Sequence, residues 1–291
     1  VERLVLVAAR EKRARLRGSA PQRNPGRVTS IFAAKGRLGA TTLAINLGVT
    51  MAESAEGKTL LVELDTRQSD IVTFLDLKPR YSIHDVVENL GRMDESLLRG
   101  LLTRHASGLW TVPGPTRLER NQFSPEQVSG TIELLRAHFD HVVMDLRHDF
   151  DPATVAALDA SDVILFLTSL DVAALRSGAA ALAAFRHLGL DTKKIKVVVM
   201  RDGTGDSVTI KHARTTLGLP IHWRTPSDYQ TVVASINSGQ PVVSASPRAK
   251  ISKNLRALAE TLCGDGRTGE GPVRKRTFLT MAWPIKRFSG A

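Results

Sequence analysis

The 291-residue chain contains a single cysteine, Cys263. An internal disulfide framework and any cysteine-based zinc cluster are therefore excluded, and a reducing cytosol fits. No apolar run approaches the ~18 residues a membrane-spanning helix needs, because the longest candidate, 162–175, is interrupted by Asp171. The opening Val1 to Ala9 holds only six consecutive apolar residues and is followed by charge, so no secretory signal is expected. A nucleophile elbow of the G-x-S-x-G kind is missing too, which argues against hydrolase chemistry on organic substrates. His138, His141 and His148 lack metal-ligand spacing and read as surface or turn residues. No internal repeat is evident.

The net charge of +11 is unevenly spread. Residues 1–27 hold eight Arg and Lys against two Glu, and 264–291 hold six against two acids. That leaves 26 basic and 25 acidic residues in 28–263, a nearly neutral core between basic ends. Basic ends attract anionic partners, either nucleic acid or an acidic membrane surface. A DNA-transport protein would favour a basic patch on the folded surface itself, so DNA is the less favoured partner.

Residues 1–27 read as a short basic helix running into a Pro/Gly linker, 28–263 as one α/β domain, and 264–291 as a basic flexible tail. Within the domain, β-rich apolar runs at 28–34, 59–65, 141–146, 162–170, 194–201 and 219–223 alternate with helical patterns at 41–55, 125–139, 172–188, 208–217, 229–238 and 250–262. Alternation of this kind implies βαβ units, and strands that are continuously apolar, such as Val163 to Leu167, are covered on both faces. The expected fold is α/β: a doubly wound, mostly parallel sheet with helices on both faces.

The first strand runs through Lys35, Gly36, Arg37, Leu38, Gly39, Ala40, Thr41 and Thr42 into a helix. Small residues let backbone N–H groups converge on phosphate, and the helix N-terminus favours the anion. Thr41 can then ligate Mg²⁺. Asp65 and Asp145 fall at the ends of predicted strands, where ligand groups collect in doubly wound sheets. Asp145 suits the Mg²⁺ shell, and Asp65 suits the orienting of a water near a terminal phosphate.

Lys35-Gly36-x-x-Gly39-x-Thr41-Thr42 resembles the deviant Walker A loop, K-G-G-x-G-K-T-[ST], of the MinD/ParA P-loop ATPases. The stretches FLDLKPRYS at 74–82, LRGLLTRHASGL at 98–109, PSDY at 226–229 and SINSGQP at 235–241 are similar to the CpaE/TadZ branch, the Flp (Tad) pilus-assembly proteins. An alanine at the position of Ala40 is familiar in that branch. Residues 1–27 resemble the end of the receiver-like domain and linker that usually precede it.

The resemblance implies ATP and Mg²⁺ as cofactors. Lys35 would be the signature lysine reaching phosphate across a homodimer, Asp65 the residue positioning the attacking water, Thr41 the magnesium ligand and Asp145 the Walker B aspartate. Met200 stands where the family places an adenine-reading asparagine, and with Arg201 it is assigned to the nucleotide site. Ala40 removes a phosphate-binding cation, and Arg37 replaces a glycine where backbone must approach phosphate closely. Losing the lysine weakens binding about 10- to 150-fold.

The function that follows is a cytoplasmic localisation and assembly factor for pilus machinery, with a degenerate ATP site that biases dimerisation. Through its basic ends it would sit peripherally on the inner membrane or at the pole. The alternatives are a working ATPase switch of the MinD/ParA kind and a ParA-like DNA partition protein.

Overall fold

A computed structural model describes residues 25–54, 57–64, 69–115, 122–203 and 208–264. The basic segment 1–24 and the tail 265–291 lie outside the described residues. The chain opens with β1 (Arg27–Ala33) and continues through α1 (Ala40–Glu53) into β2 (Thr59–Glu63). Three short helices follow, α2 (Ile71–Phe74), α3 (Ile83–Glu88) and α4 (Glu95–Leu101), and then a small hairpin of β3 (Thr103–Arg104) and β4 (Trp110–Val112). Alternation resumes with α5 (Pro125–His138), β5 (His141–Asp145), α6 (Pro152–Ala160), β6 (Val163–Thr168), α7 (Val172–His187) and β7 (Ile195–Asp202). The domain closes with α8 (Ile210–Leu217), β8 (Ile221–Pro226), α9 (Tyr229–Asn237), α10 (Val242–Ala245) and α11 (Lys250–Gly264).

Among the described residues the strands form one sheet in the order β3-β4-β2-β5-β1-β6-β7-β8. Every pairing is parallel except β3 with β4, at one edge. The continuous apolar runs behave as expected for strands buried on both faces. Along β1, Val28 and Phe32 enter the core beneath α3 to α8, while Ile31 and Ala33 enter the opposite core beneath α1, α10 and α11. The six strands and six helices read from the sequence are all present, with no end shifted by more than three residues. No described helix is long and apolar enough to cross a membrane.

Three features set the geometry of the site. First, β1 lies between β5 and β6 while its own helix leads to β2 beyond β5, so the strand order reverses beside β1 and opens a crevice at the strands' carboxyl ends. Second, the register pairs Ile31 with Asp145 and Glu63 with Asp145, bringing three strand ends level. Third, Phe150, just past β5, packs against Phe32 at 5.5 Å and Phe185 at 5.6 Å between ring centroids. These aromatic contacts anchor the loop that leaves β5.

Candidate nucleotide site

The loop from Ala34 to Gly39 joins β1 to α1. Gly39, the residue before the helix, has φ 88°, a left-handed conformation that glycine adopts without penalty. It offers no side-chain cap, and the first turn of α1 contains no acid. The N–H groups of Ala40, Thr41 and Thr42 therefore have no partner within the helix, and all three residues line a cavity of about 670 Å³. Arg37 also has positive φ, 66°, at the position where the resemblance calls for glycine. A side chain there costs about 1 kcal/mol or more of backbone strain. The loop is braced from β7, since Arg201 donates from Nη2 to the Arg37 carbonyl at 2.8 Å.

Lys35, Gly36, Arg37, Gly39, Ala40, Thr41, Thr42, Asp145 and Arg201 all border this cavity. Asp65 lies outside the described residues, and β2 ends at Glu63 rather than at Asp65. Thr41 and the buried Asp145 present hard oxygen donors on one cavity, the set that Mg²⁺ requires beside phosphate. The cradle of unpartnered amides fits the phosphates themselves. Nucleotide with Mg²⁺ thus matches the donors present. Met200 lines a second, more apolar cavity of about 190 Å³ with Pro226, Tyr229 and Val232. The two cavities share Leu38, Gly39, Thr42 and Arg201, so one ligand with a flat apolar end and an anionic end can span both.

Several residues of the site were not singled out by the sequence reading. Glu63 is buried and accepts hydrogen bonds from the Ser69 hydroxyl and from the amides of Asp70 and Gly114, both at 2.9 Å. Burial pushes its carboxyl above the usual glutamate range, against the lowering effect of those bonds. Its signal was a carboxylate inside an otherwise apolar strand. Arg147 and His148 also border the cavity; His148 is exposed in a bend, as expected of a surface or turn residue, and that surface is the cavity wall. The imidazole lies over Gly36, 3.5 Å from where a Cβ would stand.

Lys35 faces Asp171, the cap of α7, which accepts from the amide of Ala174 at 2.8 Å and from the Ser169 hydroxyl at 2.5 Å. Partial burial opposes ionisation of Asp171, but these bonds and the Lys35 ammonium outweigh it and hold the carboxyl below its usual range. Its contribution to stability is present above the unfolded value of about 3.9 and is lost as pH falls through the lower folded value. Asp171→Ala is expected to remove about 0.5–2 kcal/mol in thermal melts near neutral pH, with Asp171→Asn recovering most of it.

A parallel sheet whose order reverses beside a glycine-containing loop at a helix N-terminus, with Asp145 level with that loop, is the P-loop arrangement. The septum site-determining protein MinD of Thermotoga maritima is 27% identical over 248 residues, covering 83% of this chain and 89% of that protein. The chain is a MinD/ParA homologue. No protein-family model matches it. A ParA family ATPase from Chlorobium tepidum superposes with a TM-score of 0.76 at 23% identity, covering 82% of this chain and all of that one. The Mg-ADP complex of Pyrococcus horikoshii MinD superposes with a TM-score of 0.70 at 19% identity, covering 83% and 98%. These two likenesses support the MinD/ParA fold.

Proposed function

We propose that the chain is a positional scaffold for pilus machinery of the CpaE/TadZ kind, in which weak Mg-ATP binding biases homodimerisation. The observation that carries this reading is an anion cradle complete in backbone but deprived of its cation: Ala40 opens α1 on the cavity where the family pattern has lysine. The MinD bound to Mg-ADP supports nucleotide as the ligand. Pilus context rests on the similar stretches at 74–82, 98–109, 226–229 and 235–241, and the third of these lines the apolar cavity. In this reading Thr41 and Asp145 hold Mg²⁺, Met200 packs on the base and Lys35 reaches the partner's phosphates. The basic ends hold the dimer to an anionic membrane surface.

Thr41 and Asp145 standing together on the cavity also favour a second reading, a slow ATPase switch in which Asp65 positions water. Light scattering with and without Mg-ATP tests the first. We expect nucleotide to shift the chain toward a dimer and Lys35→Ala to abolish that shift. A mass indifferent to nucleotide contradicts the scaffold mechanism, and steady phosphate release that Asp65→Ala stops favours the switch.

A further inference from the structure

The cavity wall contributed by the loop after β5 has no role in the reading above. We propose that His148 is a phosphate ligand, its imidazole gripping the distal phosphate of the nucleotide across Gly36 in place of the cation missing at Ala40. The assignment rests on the nucleotide reading of the site and adds a residue to it.

Position comes first. The two cavities meet at Leu38, Gly39, Thr42 and Arg201, so a nucleotide with its base beside Met200 lays its phosphates over the amides of Ala40 to Thr42, with Lys35 and Gly36 lining the larger cavity beyond the shared residues. His148 stands at that far end, with Cε1 and Nε2 both 3.5 Å from the Cβ position of Gly36. A residue without a side chain lets the ring lie directly over the loop.

The loop is also built to keep the ring there. Arg147 pairs with Asp149 and, at 3.6 Å, with Asp151. Asp151 in turn caps α6 by accepting from the Thr154 amide at 2.6 Å. Phe150 is held by Phe32 and Phe185. The residues on both sides of His148 are thus fixed, while His148 itself is exposed and makes no hydrogen bond among the described residues. Arg147 is the less suitable ligand, because two carboxylates already neutralise it. Arg201 is committed to the loop carbonyl of Arg37. Histidine supplies an N–H donor to phosphate whichever ring nitrogen carries the proton, and a charge-assisted bond when both do.

The test is calorimetric titration of the full chain and of His148→Ala with ATP, ADP, AMP and inorganic tripolyphosphate, each with Mg²⁺. We expect the substitution to weaken ATP and tripolyphosphate about tenfold, near the lower end for a hydrogen bond to a charged group, and to leave AMP within about twofold. His148→Lys is expected to restore ATP affinity, which separates lost contact from a disturbed fold. If His148→Ala binds ATP, ADP and AMP in the parent's proportions, the assignment is wrong and the nucleotide reading stands. If the parent takes up neither ATP nor tripolyphosphate, both fall.

Discussion

Ala40→Lys is expected to tighten Mg-ATP binding about 10- to 150-fold, the value of one hydrogen bond to a charged group. Position 40 is the first residue of α1 and borders the 670 Å³ cavity, so a lysine there starts beside the unpartnered amides that would cradle phosphate. Its ammonium would meet the positive end of the helix dipole and lower the stability of the unliganded protein by about 0.3–1 kcal/mol. Bound phosphate reverses that penalty. The expected signature is thus a slightly lower Tm without nucleotide and a larger Tm increase with it than in the parent. Unchanged affinity would show that the loop does not contact the ligand.

The second large effect concerns Glu63. Its carboxylate joins two chain segments, the start of α2 through Asp70 and the residues after β4 through Gly114, both at 2.9 Å. Glu63→Ala leaves the Gly114 amide without its acceptor in a buried place and the Asp70 amide without it in a part-buried one. At about 1–3 kcal/mol for each unsatisfied group, the loss is about 2–6 kcal/mol. At about 2–4 °C per kcal/mol for a domain of this size, the melting temperature falls by about 4–24 °C. The same residue makes stability depend on pH. Because burial raises the carboxyl's pKa in the fold, its contribution is fully present below the unfolded glutamate value of about 4.3 and is lost as pH rises through the folded value. Glu63→Gln removes that slope, so the stability difference between parent and variant changes steadily from pH 4.3 upward. Parallel stability profiles in denaturant titrations would contradict the burial account.

The structure bears out the sheet because its strands announce themselves. Runs such as Val163 to Leu167 are apolar at every position, and only burial on both faces accounts for that pattern. Lys35 to Thr42 were legible for a related reason, since a strand, small residues and a helix follow without interruption. Asp145 was legible as a carboxylate at a strand end. By contrast, α6 escaped notice because every residue from Ala153 to Ala160 is buried, which leaves no amphipathic period to read. The hairpin of β3 and β4 is too short to show alternation. Glu63 and His148 went unassigned because their importance lies in partners far along the chain, Gly114 for one and Gly36 for the other. Sequence spacing cannot display such contacts. The physical context of His148, with clamped neighbours and an open ring on the cavity, exists only once β5 and β1 are adjacent.

The most direct measurement is calorimetric titration of the intact chain with Mg-ATP, since every role assigned to Lys35, Thr41, Asp145, Met200 and His148 requires that ligand in that cavity. We predict saturable one-site binding at about 0.01–0.15 mM, one to two decades weaker than a micromolar site, as expected for a P-loop that has lost one cation. The absence of saturable heat up to about 10 mM, a level that would reveal even a contact worth only about 3 kcal/mol, would contradict the account and leave a MinD/ParA fold that works without nucleotide.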